Sequence, residues 1–311
     1  MWQSLKEYFV ASRGVSGGDS SARRRSLTNT QFWTERTVTN HHVFVSREES
    51  LDYLDWRNSC YLFYDQFLPL GGHDGLTILD YGCGPGHDLV GFAEWSKPRG
   101  LIGVDISPAS LAAARHRLTL HGRLPLQLLR IQDGSRVIPL QDGCVDLIHS
   151  SGVLHHAPNP EEILSEFRRI LKPHGCVHLM VYNYNSIWLH LYVAYQRQIR
   201  DGIDSDLSLA EAFKRSTDGP DCPISRCYRP QEFLALATRC GFQGTYQGAA
   251  ISLFEMSLLP LRYQALASQR LTKEHREFLK SLRFDEYDRP LYDGNVAGID
   301  ATYMLTKGGA R

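Results

Sequence analysis

The residues whose types and spacing best suit chemistry lie between Asp80 and Asp105. Ile78-Leu79-Asp80-Tyr81-Gly82-Cys83-Gly84-Pro85-Gly86 reads as a buried strand that ends in an acid and turns through three alternate glycines into a helix. Glycine is needed where a backbone turns tightly and must approach a ligand with no Cβ in the way. The helix start beyond it adds oriented N–H groups. The spacing is G-x-G-x-G, not the G-x-G-x-x-G of a dinucleotide site. An acid ahead of the glycines would repel a pyrophosphate and suits a cofactor that carries an ammonium group. Asp105, followed by Ile106, ends the next strand 19 residues beyond Gly86. An acid at that strand tip accepts two hydrogen bonds from a ribose diol.

Other candidates are more scattered. His155-His156 lies in a loop after four small or apolar residues. With a pKa near ~6.5, an imidazole there could take a proton from a hydroxyl; packing against a cleft wall is the plainer alternative. Asp133-Gly134 reads either as a ligand contact or as a surface turn. Arg57, Tyr61 and Tyr64 lie on an aromatic helical stretch that could fold over a cleft. Tyr182, Tyr184, Trp188, Tyr192 and Tyr195 form a stripe whose default role is core packing. Arg226, Tyr228 and Arg229, just ahead of a helix, could grip an anionic ligand. The seven cysteines form no C-x-x-C pair, and Asp146 stands alone near the fourth strand, so no metal site is expected.

Several elements must position these groups. The aromatic helical pattern covers residues 50–68 and is closed by Pro69 and Gly71-Gly72. Strands are expected at 76–81, 101–106, 126–132, 145–149 and 176–182. Helices fall between them, at about 87–96, 107–121 and 159–171, with Ser107-Pro108 and Asn159-Pro160 as caps. Lys172-Pro173 and Gly175 stop the last of these. Strands alternating with helices imply a parallel sheet wound on both faces. Aromatic helix and loop follow residue 183, then a helix at 231–240, a sixth strand at 242–252, a helical stretch and a last strand at 301–305. The fold class expected is therefore α/β, a doubly wound, seven-stranded, mostly parallel sheet. It would carry an N-terminal helical lid, with helical insertions after strand five and between strands six and seven. The expected divisions are a flexible segment 1–30, a lid 31–72, a binding core 73–183, and cap helices plus the last two core strands in 184–311.

The stretch from about Leu76 to Tyr182 resembles the Rossmann-like (class I) S-adenosylmethionine-dependent methyltransferases, nearest the branch with ubiquinone/menaquinone, small-molecule and sugar methyltransferases. The resemblance rests on Leu79 to Gly86, Asp105, Asp133-Gly134, and Asp146, Ser150 and Leu154-His155-His156, and on Arg169-Ile170-Leu171-Lys172-Pro173-His174-Gly175, where His174 replaces the usual glycine. It implies S-adenosylmethionine as cofactor, with Asp80 and Gly82, Cys83, Gly84, Pro85 and Gly86 around its methionine part. Asp105 and Ile106 would meet the ribose, Asp133 and Gly134 the adenine, and Ser150 the cleft by its backbone. Arg57 would reach the cofactor's carboxylate. His155, His156 and Tyr182 are the catalytic candidates, although Asn183 stands where sugar methyltransferases of this branch place an acid.

The resemblance implies methyl transfer to a small molecule, first of all at a hydroxyl in a natural-product, sugar or quinone-type pathway, with carbon or sulfur acceptors as alternatives. Lys+Arg and Asp+Glu balance at 34 each, whereas phosphate contacts demand a basic surface, so nucleic acid is not an expected partner. The loop Ser150-Ser151-Gly152-Val153 also lacks the Asn-Pro-Pro-aromatic sequence of base-modifying relatives. Arg23-Arg24-Arg25 reads as a solvated tether. A cofactor-binding module without turnover remains a separate reading, and a homo-oligomer is compatible with the sequence. Lys6 and Glu7 break any secretory core, and the longest span free of Lys, Arg, Asp and Glu, 173–196, holds Asn183, Asn185 and three histidines. A cytoplasmic protein without membrane spans is the expectation.

Overall fold

The computed structural model describes residues 27–37, 42–122, 126–133, 135 and 137–308. Its centre is an eight-stranded sheet. The strands are β1 (Tyr61–Leu62), β2 (Thr77–Tyr81), β3 (Gly100–Asp105), β4 (Leu126–Arg130), β5 (Val145–Ser151), β6 (Leu171–Tyr182), β7 (Phe242–Ser252) and, last in the chain, β11 (Asp300–Lys307). They lie in the order β1-β7-β11-β6-β5-β2-β3-β4. From β6 to β4 every neighbouring pair is parallel, whereas β11 runs antiparallel to both β6 and β7. A second, three-stranded sheet joins β8 (Arg283–Phe284), β9 (Pro290–Tyr292) and β10 (Asn295–Val296), and was not expected.

The apolar runs of the central strands are buried on both faces, as a doubly wound sheet requires. Leu79, Ile148, Val177 and Leu179 are fully buried, joined by Leu164, Phe167 and Ile170 from the helix Pro160–Ile170. Each such side chain contributes about 1.5–3 kcal/mol relative to leaving it in water. On the other face Leu89, Val90 and Phe92 of the helix His87–Trp95 close over Ile78 and Leu101. That helix sits so near β3 that a Cβ on Gly103 would come within 2.8 Å of Leu89 and 2.9 Å of the Cys83 sulfur.

Three expectations are corrected. The helical pattern over 50–68 is broken: a helix Arg47–Ser59 gives way to β1 and then to the single turn Tyr64–Phe67. Tyr61 and Leu62 instead pair with Ser252 and Ile251 on the rim of β7, adding the eighth strand to the seven expected. Pro173 and Gly175 do not separate helix from strand, because β6 already begins at Leu171 and the irregularity is absorbed as a register shift opposite Val145 and Leu147. The aromatic stripe after Asn183 is a π-helix, Trp188–Arg200, whose Trp188, Leu191 and Tyr195 are buried among the cap helices. Among the described residues, a helix Asn29–Glu35 starts just before the expected lid boundary.

Candidate functional site

The carboxyl ends of β2, β3 and β5 open into a cavity of about 1080 Å³, its mouth included. Parallel strands bring this about: Asp80 lies level with Gly103 on one side and His149 on the other, so strand tips and the turns after them gather at one rim. Open α/β sheets bind ligands at that rim.

The glycine turn forms one wall. Gly82 has φ 78°, and a Cβ built there would lie 2.3 Å from a Val153 methyl, so only glycine fits. At Gly84, φ 52°, a Cβ would meet nothing within 4 Å, and the residue lines the cavity, so here the bare backbone faces open space. Pro85 and Ile106 also line it. Asp105 holds the turn to β3: Gly84 N–H donates to Oδ2 at 2.9 Å and Ser107 N–H to Oδ1 at 2.7 Å. Burial raises its carboxyl above the ordinary range, and these backbone donors pull the other way. Each oxygen keeps a further lone pair for a ligand, and Asp105 lines the cavity. Asp133 lines it too, its Oδ2 accepting from Thr30 N–H at 3.4 Å. Gly134 lies outside the described residues.

Asp80, Cys83, Gly86, Ser150 and Arg57 are set behind this wall. Asp80 is buried, and its carboxyl is pushed up to about 7, first by loss of water, against the pull of His149 and Arg57. His149 Nε2 donates to Asp88 Oδ2 at 2.9 Å, and the Arg57 guanidinium pairs with the other oxygen of Asp88. Arg57 is thus aimed at the helix after the turn, not into the cleft as expected. Ser150 Oγ donates to the Tyr81 carbonyl at 3.0 Å, and its neighbours Ser151, Gly152 and Val153 provide the lining. Cys83 packs into the core beside Leu89, and Gly86 caps the helix that follows against Ala114.

Of the catalytic candidates, the structure brings only His156 to the cavity. Its Nδ1 faces the Ile224 carbonyl at 2.7 Å and must donate there, and its Nε2 lies 3.6 Å from Asp218 Oδ1. The Tyr182 hydroxyl donates to that same oxygen at 3.2 Å, and Ser225 Oγ donates to Oδ2 at 2.9 Å. The Tyr182 ring stacks on His155 at 3.7 Å, and Tyr182 N–H donates to His155 Nδ1 at 3.3 Å. His155 is fully buried, and burial followed by its neighbour His156 drives its pKa far down, so it stays neutral. His155 and Tyr182 therefore frame His156 from behind. Arg226 and Arg229, which could have gripped an anionic ligand, are engaged within the chain: Arg226 donates to the Ala157 carbonyl at 2.6 Å, and Arg229 pairs with Glu274 over the Tyr184 ring.

Sequence reasoning missed the first helix. Asn29, Trp33 and Thr37 line the cavity; Asn29 Nδ2 donates to the His156 carbonyl at 3.2 Å, and the Trp33 ring lies 4.8 Å from that of His156. A signal was there, for Thr28 and Gln31 make a reciprocal capping box. Asp218 was missed as well, its only sequence mark being the turn-like pair with Gly219.

A methyltransferase-domain family model matches residues 72–213. The chain is 34% identical over 140 residues to an uncharacterized 37.1 kDa protein of transposon Tn4556 from Streptomyces fradiae, covering 43% of this chain and 39% of that protein. It is 31% identical over 180 residues to an uncharacterized methyltransferase of Mycobacterium bovis, covering 58% of this chain and 65% of that one. The chain thus spans less than two thirds of either relative. Among solved structures, a chain of the complex between the Haloferax volcanii Trm112 methyltransferase activator and a methyltransferase superposes with a TM-score of 0.51 at 17% identity, over 85% of this chain and 95% of that one. Haemonchus contortus phosphoethanolamine N-methyltransferase 2, solved with S-adenosylhomocysteine, gives 0.51 at 16% identity, over 91% of this chain and 61% of that one. The sheet order and the glycine turn at its rim accord with the family match, in which residues 72–213, under half of the chain, are similar to a methyltransferase domain.

Proposed function

We propose that this chain transfers the methyl group of S-adenosylmethionine to the hydroxyl of a small molecule held in the cavity above β2, β3 and β5. The observation that carries the reading is the meeting of a bare glycine backbone at Gly84 with the Asp105 carboxylate and the His156 ring on one cavity. The residues fit the cofactor. Gly84 leaves room where a side chain would intrude, Asp105 offers two acceptor oxygens to a ribose diol, and Asp133 accepts from an adenine amine. Asp80, buried beneath the turn, would ionise as the ammonium end binds beside it. When bound, the cofactor supplies an activated methyl on a sulfonium sulfur.

What remains for the protein is to align the acceptor and to exclude water. The helix Asn29–Glu35 serves exclusion, laying Asn29 and Trp33 over the His156 side of the cavity. His156 is the side chain that faces the acceptor, held in place by His155 and Tyr182. Carbon and sulfur acceptors would use the same cleft and are distinguished by the linkage in the product.

Calorimetry with S-adenosylhomocysteine tests the reading. The chain should bind it, and Asp105→Ala should weaken binding about 10–100-fold, the value of one or two hydrogen bonds to a charged group. Incubation with methyl-labelled cofactor and pools of phenols, sugars and quinols should then transfer label. Heat with a nicotinamide nucleotide but none with S-adenosylhomocysteine would sink the proposal.

A further inference from the structure

Behind the His156 wall, three unlike donors converge on one point. His156 Nε2, a carboxylate oxygen of Asp218 and the Cys222 sulfur all lie within 4.8 Å of one another. We propose that they form a zinc site fastening the cap to the cofactor domain. The site rests on the cleft already described only in sharing His156, and nothing in the sequence pointed to it.

The donors come from separate segments. His156 belongs to the turn after β5, whereas Asp218 and Cys222 follow the helix Leu209–Thr217 of the insertion. Nitrogen, oxygen and sulfur together suit a borderline-soft ion such as Zn²⁺ rather than Mg²⁺ or Ca²⁺, which take oxygen. The supporting contacts match those of a ligand set. Nδ1 of His156 is committed to the Ile224 carbonyl, so Nε2 is the ring nitrogen turned toward the carboxylate. Their separation of 3.6 Å is close to what two atoms bound to one tetrahedral zinc at about 2.0–2.2 Å span. Asp218 is steadied by hydroxyls from Tyr182 and Ser225, the outer partners that metal-bound carboxylates ordinarily have. Cys222 is buried, and a zinc-bound cysteine is a thiolate, so binding would release the thiol proton to solvent. Three protein ligands leave a fourth tetrahedral place for water.

The test needs no knowledge of the acceptor. The full chain is stripped with chelator and titrated with Co²⁺, while S-adenosylhomocysteine binding is followed by calorimetry on the same samples. About one Co²⁺ per chain should bind, with the visible bands of a tetrahedral site and a thiolate-to-cobalt charge-transfer band. Cys222→Ala should abolish the charge-transfer band yet keep the circular dichroism spectrum and S-adenosylhomocysteine binding. Asp218→Asn should weaken Co²⁺ by more than about 100-fold, and Ser225→Ala, an outer partner, by about 10-fold. A wild-type chain that binds S-adenosylhomocysteine but gives no charge-transfer band overturns the zinc site alone. A charge-transfer band that survives Cys222→Ala overturns it too. A chain with the band and no S-adenosylhomocysteine binding overturns the methyl-transfer reading instead.

Discussion

The two sides of the cavity are built in opposite ways. The glycine-turn side is made of backbone: Gly82, Gly84 and the tip of β3 come from one stretch of 24 residues, 82–105, and their geometry follows from φ angles and strand register. The His156 side is made of side chains from distant segments: Asn29 and Trp33 from the first helix, His156 from the turn after β5, Asp218 from the insertion. The first side depends on backbone geometry within one short stretch, whereas the second needs the whole fold to bring its parts together. A site of this kind can keep its cofactor while its acceptor changes.

Three substitutions would break or sharpen that contrast. The largest effect belongs to Gly82→Ala. A Cβ 2.3 Å from Val153 in a left-handed backbone must move one of the two. Strain of about 1–3 kcal/mol and overpacking of about 1–3 kcal/mol add. Thermal unfolding should drop by many degrees and S-adenosylhomocysteine binding should vanish, with Val153→Ala restoring part of the stability. If Gly82→Ala melts like wild type, the backbone side is less constrained than its geometry implies.

Next comes Asp80. Its folded pKa, about 7, lies above the unfolded carboxylate value, so between those values the folded state holds the extra proton. Stability from this group is therefore greatest at low pH and falls as pH rises toward about 7. His149, raised by Asp88, contributes in the same sense: its share is present below its unfolded pKa and is lost as pH rises through the folded one. Asp80→Asn should flatten the fall. A bound ammonium favours the ionised carboxyl, so wild-type affinity for S-adenosylhomocysteine should increase several-fold between about pH 6 and about pH 8, and the Asn variant should not show it. Denaturant titrations and calorimetry across that range read both outcomes.

The smallest effect is at the other side. Thr28→Ala removes the capping box of the helix Asn29–Glu35 at a cost of about 1 kcal/mol. It should expose that helix to protease sooner and weaken S-adenosylhomocysteine binding only a few-fold. An unchanged cleavage rate would mean that packing on His156, and not the cap, holds the helix.

Legibility in the sequence followed the same division. The strands of the core and the turn at its rim could be read because each depends on neighbours in the chain: apolar runs, glycine spacing, a proline at a helix start. Arg57 was misplaced because its partner, Asp88, sits 31 residues away in the chain, where local pattern gives no sign of the pair. The helical pattern over 50–68 failed at Tyr61 because pairing with β7, set by a segment some 190 residues later, outweighed local periodicity. His155 and Tyr182 looked like chemistry by type and motif, but their stacking and the burial of His155 emerge only in the folded chain. Asp218 carried no local mark of its role, since an Asp-Gly pair is first of all a turn.

The two residues of β1 have an importance beyond their length. An uncovered strand rim recruits other chains, and β7 would present one along its Ser252 end. By lying there, Tyr61 and Leu62 blunt that end of the rim against aggregation, and they also moor the helix Arg47–Ser59 to the far side of the sheet. Loosening this one short clasp would free that helix and bare a sticky margin in the same event.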